Sequence, residues 1–253
     1  MMMSVEELHP PGVEHPRMLI LRMPVRSFSI DEVVLADADE VATFAIQKRR
    51  DEHLSGRWLL GQAVEAWGLD SAGLMVHRTE HRAPYLCHIP GLWRNTPLPS
   101  ISIGHASGWA FVALIEHEWR IGIDAESATR GLQENAFSMM CKGEELLALQ
   151  DAPTHAIELW VAKESVQKAL GLGMHLNPRD IEIPIGVSNV KLSIENSNIQ
   201  LVNWVFDSMR MSVAWGQFSL SIRTPEDALL DATRAAMKEG DWGVGCKTTR
   251  GNC

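Results

Sequence analysis

The spacing of apolar side chains predicts two long helices in this chain. Residues 37–67 carry a helical pattern in two pieces, and Gly68 is suited to end the second piece. A second long helix is predicted at about residues 154–170, where Gly171 and Gly173 follow. The buried face of the first helix recurs at three- and four-residue intervals and consists of Leu59, Leu60, Ala63, Ala66 and Trp67. This spacing identifies it as a core helix.

Short apolar runs predict strands around both helices. One strand precedes the first helix, and several follow each helix. The predicted strands are residues 18–25, 73–78, 100–103, 109–116 and 120–126, then 181–185, 190–194, 199–206 and 209–215. Because the order of helix and strands occurs twice, we expect an α+β fold of two similar halves that join near residues 117–120.

A third helix is predicted near the C-terminus. Thr224 is a good N-cap, Pro225 suits the first turn, and Gly240 can end the helix at about Lys238. The tail beyond it is rich in glycine and is expected to be flexible. The sequence thus divides into an N-terminal half, a C-terminal half, and a C-terminal helix with its tail, at residues 1–118, 119–223 and 224–253.

Composition fits a folded protein with a sizeable core. Of the 253 residues, 45% are hydrophobic and 22% are charged, values that are ordinary for a globular protein. The net charge is −9, from 23 Lys and Arg against 32 Asp and Glu. This balance argues against a protein that coats nucleic acid. Any anionic ligand must therefore be held by a local cluster of basic side chains.

The spacing of the cysteines and the length of the apolar segments indicate the cellular location of the protein. The four cysteines have neither the spacing of a zinc ribbon nor that of a disulfide scaffold, which favours a reducing cytoplasm. The N-terminal stretch lacks the features of an export signal. The longest uninterrupted apolar segment, residues 109–115, is shorter than the about 20 residues that span a bilayer. We expect a soluble cytoplasmic protein without a membrane partner.

The stretch Arg-Ile-Gly-Ile-Asp-Ala-Glu at residues 120–126 carries the first candidate chemistry. On a strand, Gly122, Asp124 and Glu126 point to the same side. Two neighbouring carboxylates favour a bound cation, and Gly122 leaves room for a ligand to approach the backbone. The alternative is a half-exposed strand with a solvated acidic face, because charged residues are mostly exposed.

The predicted helix at residues 154–170 carries the second set of candidate functional residues. One apolar face is formed by Leu159, Ala162, Val166, Ala169 and Leu170. The opposite stripe places Glu164 and Lys168 beside Ile157, Trp160 and Val161. This mixture of apolar and charged side chains suggests that Glu164 and Lys168 line a cleft. The alternative is a surface ion pair of the common i,i+4 type.

Together these two motifs resemble the signature of the 4′-phosphopantetheinyl transferases that serve surfactin and enterobactin synthetases. The family pairs a G-[IV]-D-x-E strand with a [WF]-x-x-K-E-x-x-x-K helix some forty residues later, and here Asp124 and Glu164 are 40 positions apart. Three upstream segments are also similar to the family and lie at residues 48–60, 81–86 and 100–107. The resemblance covers roughly residues 45–220.

Two departures from the family pattern lie upstream. The family's lysine before proline is Ala83 here, although Arg82 or Arg78 could supply the charge. The two serines that flank the family's histidine are Gly104 and Ala106, which can offer a phosphate only their backbone N–H groups.

The resemblance implies an enzyme that transfers the phosphopantetheine arm of coenzyme A (CoA) to a serine of an apo acyl, peptidyl or aryl carrier protein. It also implies two α+β halves in a pseudo-twofold arrangement, with CoA between them. The implied Mg²⁺ ligands are Asp124, Glu126 and Glu164. Glu164, or a water on the metal, would accept the serine proton, and Lys168 would stabilise charge on the pyrophosphate. The implied CoA-binding residues are Arg57, Arg78, Arg82, His105 and Lys168.

Two alternatives belong to other classes. A non-catalytic relative that binds CoA or a carrier protein is suggested by Gly104 and Ala106, whereas the intact acids and Lys168 argue against it. A metal-dependent phosphohydrolase would use the same acids and would cleave CoA without a carrier protein.

Overall fold

The computed structural model describes residues 4–92, 96–194 and 196–217. The helix and tail predicted at residues 224–253 lie outside these ranges. In the described ranges, no helix has the length and apolar character needed to cross a membrane.

In the described chain, groups of strands are separated by groups of helices. The helices are α1 (Ala38–Ala42), α2 (Gln47–Trp67), α3 (Phe137–Met140), α4 (Gly143–Asp151) and α5 (Ala156–Ala169). The strands are β1 (Glu6–Leu8), β2 (Met18–Pro24), β3 (Leu74–Arg78), β4 (Pro84–His88), β5 (Ser100–Ala106), β6 (Trp109–Ile115), β7 (Trp119–Ser127), β8 (Asn189–Ile194), β9 (Ser197–Phe206) and β10 (Met209–Gln217). The α+β fold class is thereby confirmed.

The strands form two four-stranded antiparallel sheets and one hairpin. The first sheet has the order β1-β2-β6-β5 and packs against α2. The second has the order β7-β10-β9-β8 and packs against α5. Strands β3 and β4 pair only with each other among the described residues.

The two sheets share one pattern of connections. In the first, β2 leads into α2, and β5 and β6 then return so that β6 pairs with β2. In the second, β7 leads through α5, and β9 and β10 return so that β10 pairs with β7. In both sheets the opening strand pairs with the last strand, which pairs in turn with the strand before it. This repeated order supports the organisation into two halves. The boundaries at residues 118 and 223 stay predictions.

Apolar clusters hold these helices and sheets together. Leu59, Leu60 and Ala63 of α2 pack against the first sheet, as the helical spacing predicted, whereas Ala66 of the predicted face is exposed. Leu159 and Val166 of α5 pack against the second sheet. A third cluster joins residues of both sheets, namely Phe111, Ala113, Ile123, Val202 and Val213.

The segment 181–185, predicted to be a strand, forms no ladder. The prediction of a strand was therefore wrong, although Ile181 and Ile183 are buried in keeping with the alternation of apolar residues. The Ile181 carbonyl accepts a hydrogen bond from Lys163 Nζ, and the Ile183 N–H donates to Glu145. Because side chains bind these backbone groups and Pro184 has no N–H, the segment needs no partner strand.

Candidate active site

Strand β7 and helix α5 approach each other at Gly122. A Cβ atom at this position would lie 2.0 Å from the Ser165 carbonyl oxygen and 2.4 Å from the Ala169 nitrogen. The backbone of the helix therefore fills the space beside the glycine. The expectation that Gly122 leaves room for a ligand was wrong, because its missing side chain accommodates α5.

This close contact brings Asp124 and Lys168 together. Lys168 Nζ donates to Asp124 Oδ1 at 2.6 Å and to the Ile123 carbonyl oxygen at 3.1 Å. Burial alone would lower the pKa of Lys168, but the negative charges of Asp124 and Glu164 outweigh it and raise that pKa. The ammonium group is thus held charged at the strand.

Glu164 lies one helical turn before Lys168. Its carboxylate accepts no hydrogen bond from the residues that the structure describes. Burial raises its pKa, the charges of Asp124 and Glu126 raise it further, and the charge of Lys168 opposes them. Both strand acids therefore lie close enough to Glu164 to disfavour its ionised form.

Glu126 is paired with Arg130, a residue that the sequence analysis did not single out. Arg130 Nη1 contacts Glu126 Oε2, and the Ser127 N–H donates to Glu126 Oε1 at 2.9 Å. Arg130 lies just beyond the end of β7, where no periodic pattern indicated its direction. Each strand acid is therefore matched by one basic side chain.

The three acids fit a magnesium ion in their chemistry, since carboxylate oxygens are its usual protein ligands. The overlapping fields at Glu164 also favour a cation. As they stand, no three acidic, histidine or cysteine side chains within the described ranges form a group that could hold a metal ion. Asp124 and Glu126 are instead bound by Lys168 and Arg130, so a metal would compete with these two contacts.

Lys163, the first lysine of the helix motif, faces away from this cluster. Its side chain is fully buried, and Nζ binds Glu145 and the carbonyl oxygens of Met140, Pro178 and Ile181. Lys163 therefore fixes α3, α4 and the segment after α5 to the helix. Ile157 and Val161 of the predicted cleft-lining stripe are buried, at 5% and 1% exposure, so these two line no open cleft.

The first sheet meets β7 along β5. Ser100 Oγ donates to the Trp119 carbonyl oxygen at 2.6 Å, and the Ile123 N–H donates to Ser102 Oγ at 3.0 Å. Gly104, which replaces a family serine, lies at the same junction. A Cβ there would be 3.4 Å from the Ile123 carbonyl oxygen and 3.7 Å from Lys168 Nζ. The departure from the family pattern thus lies directly beside the candidate site.

His105 follows on β5, with 42% of its side chain exposed. Its Nδ1 lies 3.8 Å from Glu52 Oε2 of α2. Partial burial lowers the pKa of His105, the charge of Glu52 raises it, and the charges of Lys168 and Arg49 lower it. This histidine is therefore an exposed group near the site rather than a core residue.

Two of the predicted CoA-binding arginines share an acidic partner. Arg57 Nη2 donates to Glu40 Oε2 at 3.0 Å, and Arg78 Nε donates to Glu40 Oε1 at 3.0 Å. The Arg57 side chain is only 3% exposed, and that of Arg78 is 35% exposed. An anion that reached either arginine would compete with Glu40.

Arg82 lies in the turn between β3 and β4. Its backbone φ is 65°, and its side chain is exposed. The same turn reaches the end of α5, where the rings of His81 and His175 are 4.5 Å apart between centroids. Arg82 is thus near the C-terminus of the helix that carries Glu164 and Lys168.

The fold and this cluster define an α+β protein with a site of acids and a lysine at the contact of β7 and α5. Residues 120–221 match the model of the 4′-phosphopantetheinyl transferase superfamily, and this match supports the family. The match supports a transferase of this kind, and the family acts on CoA and carrier proteins. A search of curated proteins found no match.

Proposed function

We propose that the protein transfers the 4′-phosphopantetheine arm of CoA to a serine of an apo carrier protein, in the manner of the transferases that serve surfactin and enterobactin synthetases. The reaction would depend on Mg²⁺ and release adenosine 3′,5′-bisphosphate. The observation that carries this proposal is the cluster of Asp124, Glu164 and Lys168 within the segment that matches the superfamily.

Asp124, Glu126 and Glu164 would hold the magnesium ion. When bound, the ion would supply positive charge that stabilises the pyrophosphate of CoA. The cysteine spacing, which fits neither a zinc ribbon nor a disulfide scaffold, supports the proposed cytoplasmic location.

The side chains at the site divide the work of transfer. The serine oxygen of the carrier forms a bond to the phosphorus that bears the pantetheine arm, and the bond from that phosphorus to the oxygen of the departing nucleotide phosphate breaks. Glu164, or a water on the metal, would accept the serine proton, and the lack of a hydrogen bond to the Glu164 carboxylate from the described residues supports this role. Lys168 stabilises the charge that develops on the released phosphate.

The remaining CoA contacts are proposed for Arg57, Arg78, Arg82 and His105. Arg82 and His105 are exposed and can meet a phosphate directly. At Arg57 and Arg78 a phosphate would take the place of Glu40, which now binds both.

A second candidate is a non-catalytic protein that binds CoA or a carrier. Gly104 favours it, because the position beside Lys168 lacks a hydroxyl group that could bind a phosphate. A binding protein has no need of the acids, and this argues for the enzyme.

One experiment separates the candidates. The protein is incubated with an apo carrier protein, CoA and Mg²⁺, and the carrier is weighed by mass spectrometry. A mass gain equal to the arm, lost when a chelator is added, supports the transferase. CoA cleavage in the absence of carrier indicates a phosphohydrolase, and CoA binding without turnover indicates the binding protein.

A further inference from the structure

Glu52 of α2 is a buried acid that the proposed function has not yet used. Its side chain is only 8% exposed. Burying a carboxylate is costly unless charged or hydrogen-bonding groups compensate for it. Glu52 has three such neighbours: Arg49 Nη1 at 3.1 Å, Lys48 Nζ at 3.8 Å and His105 Nδ1 at 3.8 Å.

Two of these neighbours do not explain why the acid is buried. Lys48 and Arg49 lie on the same helix as Glu52, and their side chains are 78% and 60% exposed. Ion pairs with such exposed side chains contribute little to stability, and they form equally well at an exposed carboxylate. The third neighbour, His105, comes from β5 of the sheet, and Glu52 faces it from across the contact between α2 and β5.

The imidazole ring of His105 has two nitrogen atoms with different surroundings. Nδ1 faces Glu52. Nε2 makes no hydrogen bond with any residue in the part of the chain that the structure describes. A carboxylate near one ring nitrogen fixes the orientation of the ring and favours a proton on that nitrogen, and it also stabilises the doubly protonated form.

We infer that Glu52 is a positioning residue, which holds His105 so that Nε2–H can meet the 3′-phosphate of CoA, the contact that the family resemblance implies for His105. This inference rests on the proposed function. It explains the burial of Glu52, because the carboxylate must remain behind the imidazole while the other face of the ring meets the ligand. Burial and the charges of Lys168 and Arg49 lower the pKa of His105, and the charge of Glu52 opposes them. The imidazolium is therefore best stabilised when Glu52 faces Nδ1 and a phosphate faces Nε2.

The test compares CoA with dephospho-CoA, which lacks the 3′-phosphate, in the carrier-protein assay. Glu52→Gln keeps the size of the side chain and removes its charge. We expect kcat/KM for CoA to fall about tenfold, as for weakening a hydrogen bond to a charged group, and kcat/KM for dephospho-CoA to stay unchanged. Combined with His105→Ala, the variant should add no further loss.

Asp51→Asn is the matched control, since Asp51 neighbours Glu52 on α2, carries the same charge and bonds to Gln47. It should leave the preference for CoA unchanged. Equal losses on both substrates, or a gain in the use of CoA, would overturn the inference. Wild-type activity tests the proposed function separately. If the wild type binds CoA without turnover, calorimetry replaces the kinetic assay. The ratio of the Kd for dephospho-CoA to the Kd for CoA, compared between the wild type and Glu52→Gln, then decides the role of Glu52.

Discussion

The two halves of the molecule build their charged clusters differently. The second half has an acid–lysine cluster of Asp124, Glu164 and Lys168, and the first half has an acid–arginine cluster of Glu40, Arg57 and Arg78. In the second half, a backbone contact at Gly122 places Asp124 next to Lys168. In the first half, Glu40 on the short helix α1 gathers Arg57 and Arg78 from separate elements through side chains alone. A site built on a close backbone contact leaves a glycine in the sequence, whereas a network of long side chains leaves no such trace.

The largest effect is expected where that backbone contact is disturbed. In Gly122→Ala the new methyl group would lie 2.0 Å from the Ser165 carbonyl oxygen, and α5 would have to move away from β7. We expect a loss of at least about 3 kcal/mol in the free energy of unfolding, measured by chemical denaturation.

Gly104→Ala is the control for this variant. Its methyl group meets ordinary contact distances of 3.4 Å and 3.7 Å, so stability should stay within about 1 kcal/mol of the wild type. Equal losses in the two variants would show that the approach of β7 and α5 is not what requires glycine at position 122.

The second-largest effect concerns chemistry rather than stability. Asp124→Asn keeps the volume of the side chain but removes a proposed metal ligand and the charge that binds Lys168. Transfer to the carrier should fall by about 10²-fold or more. Loss of the contact with Lys168 lowers stability, whereas relief of the repulsion with Glu164 offsets part of this cost, so the melting temperature is measured beside turnover.

Asp180→Asn is a matched control, because Asp180 also binds a lysine, Lys142, at 2.6 Å, but at the surface. It should retain full activity. Wild-type turnover by Asp124→Asn at saturating Mg²⁺ would contradict the assignment of the metal site.

The difference between the two clusters explains what could be predicted from the sequence. Residues 120–126 and 154–170 were assigned correctly to β7 and α5, because alternation and helical spacing report burial on a regular element. Asp124 and Lys168 could be brought together because their motifs lie on those elements. Helices α3 and α4 were missed, since their attachment depends on Lys163 and its oxygen partners, which no local pattern reveals.

The first half shows the opposite case. Arg57 and Arg78 were predicted to bind CoA phosphates, but no sequence pattern indicated Glu40 as their common partner. Glu52 was also overlooked, because a glutamate between basic residues has the appearance of a solvated helix face. Such pairings depend on which side chains meet across elements, and periodicity carries no information about them.

A third prediction tests whether the cluster of the first half supports the fold. Glu40→Gln leaves the Arg57 guanidinium buried without its acidic partner, and its Nη1 already lacks a hydrogen-bond acceptor among the described residues. We expect a loss of about 2 kcal/mol in stability, below the full cost of breaking a buried pair because Glu40 is 23% exposed. Glu80→Gln, at an 85% exposed acid, should have no effect. An unchanged melting temperature in Glu40→Gln would leave Glu40 without a structural role.

The smallest effect comes from His53, whose ring lies beside Phe44 in the same region. Burial and the charge of Arg57 lower its pKa to about 4, with Arg78 adding to this and Glu40 and Asp37 opposing it. The pKa in the folded state is thus below the ordinary value of 6.5. Between these two values the unfolded chain binds a proton that the folded chain does not, so stability falls as the pH is lowered from about 6.5 toward 4.

A change from pH 7 to pH 5 should lower the free energy of unfolding by at most about 1 kcal/mol after solvent screening, or Tm by about 2–4 °C. His53→Asn should reduce this pH-dependent difference, whereas His9→Asn, at a 77% exposed histidine, should preserve it. Equal pH dependence in wild type and His53→Asn would show that the acid sensitivity of the fold arises elsewhere.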